Sequence, residues 1–206
     1  MITTEAVGIG IRRANASDRA TVAATISAAF FDDPVTRWLL PDAQRRLEII
    51  EPMFALYADA YLPHGETYLT DDGNGAAVWL PPHGQLLTPE QEVTFGTALA
   101  ELAGPAIERM VRLEETFAQY HPEEPLYYCQ FLATVPAFQS QGIGSTFLRQ
   151  MLRRADSEGM PAYHEATTPR NRALYERHGY VDLGAFTLPD DGPPLWRMWR
   201  MWREPR

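Results

Sequence analysis

The sequence predicts a mixed α/β fold, with one central sheet flanked by helices in a single domain of 206 residues. Three observations carry that expectation. Strand-like and helix-like periods alternate through the second half of the chain, after a hairpin in the first. Turn signals separate them at short intervals, with no internal repeat and no low-complexity linker. The length suits one compact domain with a substantial core.

The elements follow in order. Ile9-Gly10-Ile11-Arg12 starts the sheet, and Ser17 to Phe30 is expected to be a helix ended by Asp32-Asp33-Pro34. A second helix, from Asp42 to about Tyr61, contains Pro52, which is expected to kink or split it. Glu66 to Leu80 reads as a hairpin around Asp72-Gly73-Asn74-Gly75. Thr88 to Gln119 forms two amphipathic helices separated by Gly104-Pro105. Leu126 to Val135 is a β-rich run. A helix follows in which Phe147, Leu148, Met151, Leu152 and Ala155 share one face, opposite Arg149, Arg153 and Asp156. Tyr163 to Thr167 reads as a short buried strand. Thr168 then caps a helix with Pro169 at its first position and Gly179 at its close. Two strands around Pro189 to Pro194 complete the sheet.

Gln139-Ser140-Gln141-Gly142-Ile143-Gly144 is the most informative stretch. Strand, glycine loop and helix N-terminus together make a phosphate site: the glycines permit close approach, and the free N–H groups of the first turn point at the anion. A P-loop is excluded, because Ser145 follows Gly144 and the chain has no lysine. A dinucleotide fold competes, since Glu165 lies near the expected ribose-binding position. Two details count against it. Pro136 to Gln141 separate the strand from the glycines, and Phe147 stands where the third, small residue belongs. A chance glycine turn is the remaining reading.

Val135-Pro136 followed by Gln139-x-x-Gly142-x-Gly144 resembles the Q/R-x-x-G-x-G/A pyrophosphate loop of the GNAT superfamily of acyl-CoA-dependent acetyltransferases. Asn171-Arg172-Ala173-Leu174-Tyr175-Glu176-Arg177-His178-Gly179-Tyr180 is similar to that family's "N…YE+xGF" segment, in which the asparagine contacts the cofactor and the tyrosine lies beside its sulfur. Ala28 to Pro34, Ala77 to Pro82, His121 to Pro125 and Leu188 to Pro193 resemble landmarks of a subgroup that includes puromycin N-acetyltransferase. The resemblance covers about Ile11 to Arg200 and implies acetyl-CoA as co-substrate, an acceptor-side half of about 1–125 and a cofactor core of about 126–180. It places the cofactor on Leu132, Thr134 and Val135, on the loop residues Gln139, Ser140, Gln141, Gly142, Ile143, Gly144 and Ser145, and on Asn171 and Tyr175. One departure stands out. Ser140 and Gln141 replace the Gly and basic residue common in relatives, which weakens charge neutralisation at the phosphates.

Composition excludes several classes. No apolar run reaches membrane-spanning length, and Met1 to Glu5 lacks the character of a signal peptide. The single cysteine forbids an internal disulfide and fits a cytoplasmic location. The five histidines lack metal-ligand spacing, and a net charge of −9 makes nucleic acid an improbable partner. The expected partner is a small-molecule amine, and the expected assembly a monomer or homodimer. From Gln139 onward 10 Arg face 8 Asp/Glu, whereas the preceding residues hold 8 Arg against 19 acids. That acidic field either attracts a cationic amine or serves solubility alone.

Acetyl transfer to an amine requires a neutral amine, oxyanion stabilisation and a proton for the departing thiolate. Backbone N–H groups around Thr134 and Val135 are placed for the oxyanion. Tyr175 suits the proton donor, being protonated at neutral pH, and competes with a reading as a packed core aromatic. Asn171 lies four residues earlier, on the same helix face. Glu165 is either a general base or half of a buried salt bridge. Asp32 and Asp33 read as a solvated turn, with ammonium binding as the alternative. Cys129 reads as a small core hydrophobe rather than an acyl carrier, which favours direct transfer. The lack of lysine also excludes a Schiff base. A catalytically silent acyl-CoA sensor and a protein or peptide N-acetyltransferase are the other functional readings.

Overall fold

Among the described residues, side-chain caps start four of the α-helices. The computed structural model describes residues 9–64, 66–83 and 86–204; Met1 to Glu5, read above for a leader, lie outside them. Strand β1 (Ile11–Arg13) leads through a 3-10 turn into α1 (Arg19–Phe30). Asp33 does not simply end that helix. Its side chain accepts from the Val35 N–H and starts a short helix, α2 (Pro34–Leu39), with Pro34 in the first turn, where no N–H is needed. Six residues are too few for a helical period to show in the sequence.

Helix α3 (Ala43–Tyr61), capped by Asp42, runs through Pro52 without splitting. Its apolar face buries Ile49, Ile50, Met53, Phe54 and Ala58. That packing outweighs an interior proline, which costs about 3 kcal/mol. The hairpin is β2 (Thr67–Thr70) and β3 (Gly75–Leu80), and α4 (Pro89–Ala103) and α5 (Ile107–Tyr120) flank Gly104-Pro105 as expected. The remainder alternates: β4 (Tyr127–Thr134), α6 (Ile143–Ser157), β5 (Ala162–Ala166), α7 (Pro169–Arg177), β6 (Val181–Thr187) and β7 (Pro194–Arg200).

These strands form one seven-stranded mixed sheet in the order β1-β2-β3-β4-β5-β7-β6, antiparallel except for β4 and β5. Strand alternation divides its two faces. Ala76 and Val78 pack with α1 and α3, while Ala77 and Trp79 join Phe147, Leu148 and Met151 of α6. A β-bulge interrupts β4. Val78 opposes Phe131 but Trp79 opposes Cys129, so Gln130 is the extra residue. The bulge reverses the phase of the strand. Cys129 faces α6, and two residues later Phe131 faces α1 and α3, leaving Leu132 on the α6 side.

The central feature for function is a gap. β4 and β5 pair only at Tyr127–Ala162 and Tyr128–Tyr163, and beyond that point they diverge. The first turns of α6 and α7 border the opening.

Candidate active site

The end of β4, the loop to α6 and the start of α7 enclose a cleft of about 370 Å³. Leu132 and Thr134 line it from β4. Val135 donates its N–H to the Asn74 carbonyl at 2.9 Å. Because N–H groups alternate along an antiparallel strand, those of Leu132 and Thr134 turn the other way, into the gap. The oxyanion expectation is corrected accordingly: Thr134 and Leu132 keep open amides, whereas the Val135 amide is already bonded and Val135 does not line the cleft.

Of the loop residues, Gln139, Ser140, Gly142, Ile143, Gly144 and Ser145 line the cleft. Gln141 does not; its side chain turns back to the Ala137 carbonyl at 3.4 Å. Gly142 has φ +91°, the left-handed region that favours glycine, and no side chain caps the helix it starts. The first N–H groups of α6 are therefore left for a ligand. A Cβ on Gly144 would lie 3.4 Å from Leu174 and 3.8 Å from Leu132, both in the cleft wall. A glycine cradle, an uncapped helix N-terminus and two arginines in the lining, Arg170 and Arg177, fit an anionic pyrophosphate. Among the described residues no cluster of His, Cys, Asp or Glu could hold a metal.

Asn171 and Tyr175 project from α7, which Thr168 caps by accepting from the Asn171 N–H at 3.1 Å. Asn171 donates to Thr167, and Thr167 donates to Asp33 at 2.5 Å, tying α7 to the α2 cap. Asp33 is thus not a solvated turn residue. It lines the cleft, and burial raises its pKa. Asp32 is solvated, with 79% of its side chain exposed. Tyr175 is buried and packs edge-on against His164 and Tyr180. Its hydroxyl makes no hydrogen bond among the described residues, and burial keeps it protonated.

A second, apolar pocket of about 100 Å³ adjoins the cleft and shares Phe30, Asp33, Leu132, Asn171 and Tyr175 with it. Phe131 anchors its aromatic wall, meeting Phe30, Phe54 and Tyr57 edge-on at 5.9, 5.3 and 5.5 Å. Glu165 lines this pocket. Its Oε2 accepts from the Tyr128 hydroxyl at 2.8 Å, and its Oε1 has no partner. No arginine pairs with it among the described residues, so the salt-bridge alternative falls. Burial raises the Glu165 pKa to about 7. His164 bonds the Cys129 carbonyl through Nδ1, and burial lowers its pKa to about 4, leaving it neutral. Cys129 is fully buried with a strongly raised pKa, so it is a poor nucleophile.

Phe117, Tyr128 and Gln130 separate the apolar pocket from an open cavity of about 670 Å³, a mouth lined by Glu114, Glu123 and Glu124. Sequence reasoning missed this mouth, the aromatic wall, Arg170 and Arg177. The wall and the mouth gather side chains from segments far apart in sequence, whereas Arg177 stands at the basic position of the N…YE+xGF segment, a signal that could have found it.

The site thus combines a splayed parallel strand pair, a glycine-started helix and a cleft beside an apolar pocket. Residues 97–182 match the acetyltransferase (GNAT) domain. The chain is 25% identical over 205 residues to an uncharacterized N-acetyltransferase of Schizosaccharomyces pombe, covering 94% of this chain and 83% of the relative. It also resembles the solved "histone acetyltransferase HPA2 and related acetyltransferase" from Corynebacterium glutamicum, with TM-score 0.74, 25% identity, and coverage of 97% and 99%. A polyamine N-acetyltransferase of Drosophila melanogaster shares the fold, with TM-score 0.61, 13% identity, and coverage of 94% and 100%. Together these findings make the protein an N-acetyltransferase, with residues 97–182 the part similar to the GNAT domain. No helix among the described residues is long and apolar enough to cross a membrane.

Proposed function

We propose that this enzyme transfers an acetyl group directly from acetyl-CoA to a small primary amine that carries positive charge. The observation that carries the reading is the shared wall of cleft and pocket, where Tyr175 lines both and Glu165 lines the pocket. Acetyl-CoA would supply an activated thioester. The loop residues Gln139 to Ser145 would hold its pyrophosphate, and Asn171 its pantetheine arm beside Tyr175. The amides of Thr134 and Leu132 would receive the developing oxyanion. Glu165, with a pKa of about 7, removes a proton from the incoming ammonium. Tyr175 has a hydroxyl with no other task and gives its proton to the thiolate, and the second proton lost by the amine nitrogen as the adduct collapses restores the phenol. Cys129, sealed in the core, supports direct transfer.

Charge at the two ends supports a cationic acceptor. Arg170 and Arg177 border the cofactor cleft, whereas carboxylates and no arginine border the mouth. Burial lowers the pKa of His121, also at the mouth, and raises that of Glu114. The neighbours' names span a histone acetyltransferase and a polyamine acetyltransferase, so pocket chemistry has to choose the acceptor. A pocket of about 100 Å³ suits a slender amine. The landmarks shared with the puromycin N-acetyltransferase subgroup add antibiotic amines to the candidates.

A free-thiol assay over mono- and dicationic amines, an aminonucleoside antibiotic and a basic peptide tests the proposal. Turnover is expected with small cationic amines. Turnover with the peptide alone overturns the small-molecule reading. With the best acceptor, Tyr175→Phe is expected to lower kcat by ~10²-fold while acetyl-CoA affinity and thermal stability stay near wild type. A variant as fast as the wild type returns Tyr175 to the core-aromatic role.

A further inference from the structure

The loop that opens α6 carries no cation of its own. From Val135 to Ser145 there is no arginine, and the chain contains no lysine. The fold brings one from α7. The Thr168 cap fixes the first turn of that helix, and Arg170 reaches from it across to the loop. Its Nη1 donates to Gln139 Oε1 at 3.0 Å and its Nη2 to Ser140 Oγ at 2.8 Å. Gln139 in turn donates through Nε2 to the Thr134 carbonyl at 3.2 Å. Ser140 has φ +65°, a conformation a non-glycine residue enters only when its surroundings hold it there.

We propose that Arg170 supplies the pyrophosphate-binding cation that the loop lacks. The inference rests on the acetyl-CoA reading of the cleft. A guanidinium has five N–H donors in a planar fork, and Gln139 and Ser140 engage two of them. The remaining three are available on a side chain that lines the cleft beside the uncapped N-terminus of α6. The geometry suits two neighbouring phosphate oxygens, since the fork is preorganised and its charge is permanent. Two anchors to the loop reduce the entropy lost when the ligand arrives. Arg170 therefore acts twice: it braces a strained loop, and it meets the charge that the loop amides alone would leave partly uncompensated.

Equilibrium binding separates those roles without requiring the acceptor. Calorimetry would compare acetyl-CoA with S-acetylpantetheine, a thioester that lacks the pyrophosphate and nucleotide. Arg170→Gln is expected to raise the acetyl-CoA Kd by about tenfold or more, because a charge-assisted phosphate contact is worth at least ~1.4 kcal/mol. The S-acetylpantetheine Kd should not move. Adding Gln141→Arg, which puts a cation back into the loop, should recover much of the loss, and Arg170→Lys should fall between wild type and Arg170→Gln. Unchanged acetyl-CoA affinity overturns the proposal. Equal weakening of both ligands, with no rescue by Gln141→Arg, also overturns it by reducing Arg170 to a loop brace. A wild type that binds neither ligand sinks the acetyl-CoA reading itself, a different outcome from either.

Discussion

Glu165 is the residue whose environment says most. A buried carboxyl on a central strand prefers to be protonated, and hydrogen bonding only partly offsets that burial, which places its pKa at about 7. As a general base it works only when ionised, so kcat/KM should fall about tenfold per pH unit below pH 7. Glu165→Gln should remove that limb and regain part of its rate at high pH, where the amine deprotonates unaided. A wild-type profile flat between pH 5.5 and 8 would exclude the base. The same shift affects stability. The folded value lies above the ordinary 4.5, so the stabilisation is complete below that value and is lost as pH rises towards about 7. Thermal melts should therefore find Glu165→Gln more stable than wild type at pH 8, with the gap closing by pH 5.

Helix α6 and its loop show what a single element contributes. Phe147, Leu148, Met151, Leu152 and Ala155 all fall on the buried face that the sequence period assigned to them, because spacing alone fixes which side chains share a helix face. The two glycines beside that face differ in role. Gly142 holds φ +91°, so any other residue there strains the chain by about 1–2 kcal/mol before a ligand is considered. Gly144 has ordinary helical geometry, and a side chain there projects between Leu132 and Leu174. Gly144→Val is thus expected to weaken acetyl-CoA binding by ~10-fold or more with a near-normal melting temperature, whereas Gly142→Val loses both. Calorimetry paired with thermal melts distinguishes them. Equal acetyl-CoA binding by wild type and Gly144→Val would remove the glycine cradle from the cofactor site.

Across the whole molecule, charge is divided between the cleft and the mouth. Arginines border the end that would receive an anionic cofactor, and Glu114, Glu123 and Glu124 border the other. Replacing those three by glutamine should raise KM for a cationic acceptor several-fold at low salt, a difference that about 0.5 M salt should largely erase by screening. Asp32→Asn should leave KM unchanged, since Asp32 is solvated away from all three cavities. A KM that ignores the triple substitution would return the acidic half to the solubility reading.

The sequence by itself determined the mixed sheet, the order of nearly all its elements, the cap at Thr168, and the strand–loop–helix that borders the cleft. Each depends on contacts within a few residues, so periodicity and capping rules reach it. It did not show α2, which is too short to display a period, or the continuity of α3 through Pro52, which long-range packing decides. Tertiary structure alone decided the site's working geometry. The bulge at Gln130 sends Phe131 to one face and Leu132 to the other, the divergence of β4 from β5 frees the Thr134 amide, and α7 lays Arg170 on a loop thirty residues earlier. These features arise where segments distant in sequence compete for the same space and the same hydrogen-bond partners, a contest that no local pattern records.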